Sequence, residues 1–182
     1  MVSPLRSVAA FDLGTHYGWA TRDSVGLLSS GNVNLKQTGR IQNDGFRYLR
    51  FESHIKALFA AQNTQVCFFE EVRKNSGHIA ATVYGGFKST LLTECERFNV
   101  AHSSIPVGTI KAVATTQGSA SKQKVIAAAQ RYYPKIEDEN EADAFWILIT
   151  GLTEHLGELN QWKTHYPPPL PPRRPKRTGS AL

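Results

Sequence analysis

The sequence predicts a mixed-sheet α/β domain, and three observations predict it. Three short apolar runs stand close together within residues 7–35, and connections that short make an antiparallel meander. The apolar period then changes to that of a helix over about residues 40–61. Beyond it, compact apolar runs at 64–72 and 99–107 alternate with helical stretches, the order of a sheet flanked by helices. A chain of 182 residues suits one domain with a sizeable core. We place that domain at 1–160 and a separate tail at 161–182.

Residues 7–13, SVAAFDL, read as a buried strand. YGWATRD and VGLLSSGNVNL follow as two more, with turns expected at Asp23-Ser24 and at Gly31. Tyr48, Phe51, Ile55, Leu58 and Phe59 recur at helical spacing. TQVCFFEEV is too short for a helix and apolar on both faces, so it reads as a central strand covered on both sides. A long helix is expected from Ile79 to Phe98, with Val83, Leu91, Leu92, Cys95 and Phe98 buried. Gly85-Gly86 interrupts it. Paired glycines weaken a helix, which points to close packing there against another surface. NVAHSSIPV gives a fifth strand. A helical turn near Thr109–Ala114, a helix near Ser121–Tyr132 and a last helix from about Glu141 to His155 complete the domain. From Tyr166 on, YPPPLPPRRPKRTGSAL is expected to be extended polyproline II and then disordered. Its Pro169–Arg174 stretch fits a PxxPxR pattern of the kind proline-rich tails produce by chance.

No apolar run reaches membrane-spanning length, and no charged-then-apolar leader is seen, so a cytoplasmic location without a membrane partner is expected. Cys67 and Cys95, the two cysteines, are expected to be buried reduced thiols. The formal net charge is +6, and position matters more than the total. Lys163, Arg173, Arg174, Lys176 and Arg177 follow Glu158 with no further acid, so the tail is expected to add electrostatic affinity for a polyanion.

Asp12 ends the first strand, Glu70 and Glu71 end the fourth, and Asp143 is expected in the first turn of the last helix. Sites in open α/β sheets form at the carboxyl ends of strands, so these acids should meet. Gathered carboxylates repel and hold protons unless a cation relieves them. Mg²⁺ is a hard cation that takes oxygen ligands, and two such ions suit phosphodiester hydrolysis.

FDLG at 11–14, FEEV at 69–72, Lys111 and Lys122 with GSASK at 118–122, and NEADAFWIL at 140–148 together resemble the RuvC-type Holliday junction resolvases of the RNase H-like nuclease superfamily. The resemblance spans about residues 7–155. It implies an RNase H-like mixed five-stranded sheet flanked by helices. It selects Glu70 over Glu71, and it implies that Asp12, Glu70 and Asp143 ligate two Mg²⁺ ions, with Mn²⁺ as a substitute. Lys111 and Lys122 would contact phosphate near the scissile bond, Lys122 within the catalytic set, and Lys124 would bind nucleic acid beside it. The implied partners are branched DNA with a four-way junction and a second copy of the chain, because symmetric cutting needs two active sites. Two positions depart from the family. Where it has an acid or His three residues before the last Asp, this chain has Asn140, an amide that can ligate Mg²⁺ without charge; Glu141 and Asp138 are the alternatives. Where the family often has an aromatic after the acid–x–Val, this chain has Arg73 and Lys74, which suit phosphate binding rather than unstacking of bases.

The expected activity is therefore a Mg²⁺-dependent endodeoxyribonuclease that resolves four-way junctions. The alternatives are a related nuclease cutting flaps, other branched DNA or RNA–DNA hybrid, and an inactive binding module, which Asn140 would favour. DLGT also resembles the phosphate turn of the actin-like ATPases, but those need two lobes of this fold, and one domain supplies one.

Overall fold

The computed structural model describes residues 5–36, 44–72, 77–115 and 121–158. Five strands form one sheet: β1 (Val8–Asp12), β2 (His16–Arg22), β3 (Leu28–Asn34), β4 (Val66–Glu71) and β5 (Ala101–Pro106). Their order is β3-β2-β1-β4-β5. The hairpin-linked pairs β1/β2 and β2/β3 are antiparallel, and the pairs β1/β4 and β4/β5 are parallel. The helices are α1 (Asp44–Gln62), α2 (His78–Arg97), α3 (Val107–Thr115), α4 (Lys122–Tyr132) and α5 (Glu139–Thr150), the last continuing as a wide π-helical turn over Gly151–His155. This is the RNase H-like mixed sheet that the sequence predicts. Arg73 and Lys74 lie outside the described residues, as does the basic proline-rich tail.

Pleating divides the core in two. Val8, Ala10, Val66, Phe68 and Ile105 face α3, α4 and α5. Ala9, Phe11, Tyr17, Cys67 and Phe69 face α1 and α2. Phe51, Phe59 and Phe87 fill that second layer edge to face, Phe51 standing 6.1 Å from Phe11 and 5.0 Å from Phe87 between ring centroids. Cys67 and Cys95 are buried free thiols, side by side across β4 and α2.

Three expectations need correction. Gly31 makes no turn; it lies within β3 opposite Trp19, whose ring covers it. Phe98 caps the end of α2 and is 38% exposed, while Phe87 takes the buried place on that helix. The last helix begins two residues early, because the Asp138 carboxylate accepts hydrogen bonds from the backbone N–H groups of Asn140 and Glu141. Asp143 therefore sits about half a turn further in, in the second turn of the helix. The glycine pair divides its work: Gly86 lies against the Tyr48 ring, within the chain, whereas a side chain on Gly85 would meet open space.

The placement of α5 decides the site. A Cβ on Gly18 would lie 1.7 Å from the Asn140 carbonyl oxygen, so only glycine lets α5 begin directly on β2. At the other end, a Cβ on Gly151 would lie 2.2 Å from the Phe68 ring. Both ends of α5 thus rest on the sheet at glycine contacts. Gly18→Ala should cost about 2–3 kcal/mol, since the clash is with backbone that cannot turn aside. Gly85→Ala, in open space on a helix, should instead stabilise by roughly 0.5–1 kcal/mol. Urea unfolding of both variants checks the pair, and equal effects would contradict this placement of α5.

Candidate active site

Strand parity chooses between Glu70 and Glu71. Val66, Phe68 and Glu70 share the face that meets α5, and Val8, Ala10 and Asp12 share it on β1. The register Phe11↔Phe69 puts Asp12 and Glu70 one position further on, side by side at the carboxyl ends of adjacent parallel strands. Glu71 points to the opposite face. The Tyr84 hydroxyl donates to the Glu70 carbonyl at 2.8 Å and ties α2 to this strand end.

α5 supplies the rest. Asp143 faces Glu70 and Asp12, and Glu139, four residues before it and on the same side of the helix, acts on Asp12 and Asp143. Glu139, Asp143, Glu70, Lys111 of α3 and Lys122 of α4 line one cleft of about 180 Å³, closed below by Val107, Ile110, Ala114 and Val125. Lys122 Nζ donates to Glu139 Oε1. Lys124 is exposed on α4 and does not line this cleft.

The carboxyls hold protons unusually well. Burial, then Glu70, Asp143 and Glu139, push the Asp12 carboxyl up to about 8, against a smaller pull from Lys122. Burial and then Asp143 raise Glu70 to about 6, with Lys111 opposing. Burial and then Glu139 raise Asp143 to about 6, with Lys122 and Lys111 opposing. Four acids and two lysines therefore act on one another in a partly desolvated place. Among the described residues, no three His, Cys, Asp or Glu side chains are gathered tightly enough to form a ready-made metal cage. The donor set still fits a hard divalent cation. It is all carboxylate oxygen, and its mutual repulsion is what such a cation relieves.

Asn140 and Glu141 serve elsewhere. The Asn140 amide donates to Asp138 Oδ1 at 3.1 Å and lies 3.3 Å from His16 Nδ1. His16 Nε2 in turn meets Asn32 Oδ1 at 3.0 Å, so the ring bridges β3 and the start of α5. Glu141 is buried, 7% exposed, and accepts from the Ser30 hydroxyl at 2.6 Å on β3. Asp138 is the helix cap. None of these alternatives lines the cleft with Glu70 and Asp143. The acid that sequence reasoning missed is Glu139. Its signal was the Asp138-x-x-Glu141 spacing of a capping box, which starts the helix in time to place Glu139 one turn before Asp143.

No family model matches the sequence, and no curated protein matches it. Solved structures do share its fold. Thermus thermophilus RuvC superposes with a TM-score of 0.64 at 18% identity, covering 84% of this chain and 97% of that one. The same organism's RuvC in complex with Holliday junction substrate gives 0.71 at 18% identity over 85% and 98% of the two chains. The yeast mitochondrial Holliday junction resolvase Ydc2 gives 0.54 at 15% identity over 91% and 85%. The chain thus has the RNase H-like fold of these resolvases over nearly their whole length. Among the described residues no helix is long and apolar enough to cross a membrane.

The crowding has a signature in stability. The Asp12 carboxyl is raised in the folded state, so the fold holds this proton more tightly than the unfolded chain does. That advantage is complete below the unfolded value near 3.8 and is lost as pH rises to about 8. Asp12→Asn removes the penalty. In EDTA at pH 7.5 it should stabilise the protein by at least about 2 kcal/mol, and the gain should shrink towards zero near pH 4. Thermal melts of the two proteins across this range test it, and a destabilised variant at pH 7.5 would contradict the crowding.

Proposed function

We propose that this chain is a divalent-cation-dependent, structure-specific endodeoxyribonuclease that resolves four-way DNA junctions. One observation carries the reading: on the fold of the junction resolvases, Asp12, Glu70 and Asp143 converge with Lys111 and Lys122 at the carboxyl ends of β1 and β4. Asp12, Glu70 and Asp143 would hold two Mg²⁺ ions, with Mn²⁺ as a substitute. When bound, such a pair supplies an activated water and stabilises the leaving oxygen of a phosphodiester.

The protein's own groups do the remainder. Lys111 and Lys122 approach the cleft from two separate helices, so they can hold a phosphate from two sides. Lys124, Arg73 and Lys74 would add backbone contacts that position the duplex without reading its sequence. The apolar floor of the cleft limits water around the reacting group. A second groove of about 910 Å³ opens past the ends of β1 and β4 between Leu13, Thr15, Val72, Ile79 and Tyr84, with room for another strand. Resolving a junction takes two symmetric cuts, so the working unit would be a homodimer.

Asp143→Asn and Glu70→Gln should each slow Mg²⁺-dependent, single-turnover junction cleavage on the order of 10³-fold, the equivalent of several kcal/mol. Junction binding in Ca²⁺ should stay within a few-fold, because most affinity lies in phosphate contacts. Glu141→Gln should cost far less activity than Asp143→Asn. The wild-type protein, offered a four-way junction, a flap, an RNA–DNA hybrid and a duplex of equal length, should cut the junction best. Preference for the flap or the hybrid would reassign the target, and no cleavage of any would leave a binding module. Light scattering should give the mass of two chains.

A further inference from the structure

The proposal here rests on the nuclease reading above and concerns which residue completes its cation site. The position three residues before Asp143 holds Asn140, whose amide is engaged with Asp138 and His16. The position four before holds Glu139. On a helix a separation of four residues turns about 40° past one full revolution, while a separation of three falls about 60° short, so Glu139 is the better aligned with Asp143. Glu139 lines the cleft with Glu70 and Asp143.

Glu139 is also the one acid of that cleft hydrogen-bonded to a lysine among the described contacts, since Lys122 Nζ donates to its Oε1. Both side chains reach solvent, at 72% exposure for Lys122 and 39% for Glu139. An ion pair so exposed is weak and readily exchanged. The lysine therefore neutralises Glu139 without committing it.

We infer that Glu139 supplies the fourth anionic oxygen of the cation site in place of the neutral Asn140, and that Lys122 competes with the cation for it. The helix start set by Asp138 makes this possible, because it brings Glu139 into the first turn. Lys122 then has two partners at different times, Glu139 in the protein alone and a substrate phosphate when DNA is present. Drawing Lys122 to phosphate releases Glu139, so DNA and cation favour each other's binding.

Mn²⁺ binding to the full-length protein without DNA, followed by the loss of the free-ion EPR signal, tests this without any turnover. Glu139→Gln should weaken Mn²⁺ about tenfold or more, while Asn140→Ala and Glu141→Gln stay within about twofold. Lys122→Gln should tighten Mn²⁺ several-fold. Most of that gain should be lost when Glu139→Gln is also present, because competition for Glu139 needs Glu139, and only the part that Lys122 exerts on Asp12 and Asp143 should remain. A gain that survives undiminished in the double variant would reduce Lys122 to a repelling charge and overturn the competition. Weakening by Asn140→Ala, with Glu139→Gln unaffected, would overturn the ligand assignment. Asp12→Asn and Asp143→Asn separate the two levels. If these weaken Mn²⁺ and Glu139→Gln does not, this inference fails alone; if neither weakens it, the cation reading of the whole site fails. Melting temperatures of all variants establish that each is folded, and Glu139→Asp, which keeps the charge, should recover part of the affinity.

Discussion

The contact between Gly18 and the Asn140 carbonyl is the constraint on which the site depends. Asp12 pairs with Gly18 across the β1/β2 ladder, so whatever rests on Gly18 rests beside Asp12. With any Cβ at that position, α5 would have to rise from the sheet and carry Asp143 and Glu139 away from Asp12 and Glu70. Gly151 repeats the device against Phe68, the residue two before Glu70 on β4. The helix is thus seated at one end on β2, beside Asp12, and at the other on β4, the strand that carries Glu70. Short side chains can then interact across the gap without any loop to position them.

That seating creates a charge problem and sets its scale. Asp12, Glu70, Asp143 and Glu139 are four negative groups, and Lys111 and Lys122 offset only part of them. The lysines are unequally placed: Lys111 acts on Glu70 and Asp143, while Lys122 acts on Asp12 and Asp143 and bonds Glu139. The remaining excess raises all three carboxyls, and at neutral pH it is Asp12, pushed up to about 8, that keeps its proton, while Glu70 and Asp143, raised to about 6, have largely lost theirs. A site that stores a proton at neutral pH exchanges it for a cation at little cost, which is the chemical sense of crowding carboxylates in a cleft.

Much of this was legible in the sequence, for identifiable reasons. Strand ends are marked by the change from apolar to acidic residues, so Asp12 and the Glu70-Glu71 pair could be placed, but a strand apolar on both faces gives no parity signal, and Glu70 was chosen only by its resemblance to the family's acid–x–Val. The helix start was harder. Residues 137–143, EDENEAD, hold five acids in seven positions, and several could cap or ligate. Only the hydrogen bonds from Asn140 and Glu141 to Asp138 single out the cap, and a shift of two residues changes which side chains share the side of Asp143. Gly31 shows the opposite limit: a turn residue by composition, it serves instead as the space under a tryptophan ring, a contact between strands that no local pattern encodes.

What keeps repelling acids together is the rest of α5. Ala142, Ala144, Phe145, Trp146, Ile147, Leu148 and Ile149 are all buried, so the helix is apolar nearly all round past its first turn. Burying one large apolar side chain contributes about 1.5–3 kcal/mol, and α5 carries five. Trp146 Nε1 donates to the Val125 carbonyl at 3.1 Å and joins α5 to α4, the helix that carries Lys122. Beyond the π-helical turn, Glu158 pairs with the buried Arg22 guanidinium, which also donates to the Arg6 carbonyl at 2.8 Å. Lifting α5 to relieve the acids would break all of this, and the gain would be smaller than the loss. The backbone therefore stays, and relief comes through side-chain rotation, protonation or an incoming cation. A site whose strain cannot relax through the fold passes it to its ligands, which is how packing in the core is converted into cation affinity at the edge of the sheet.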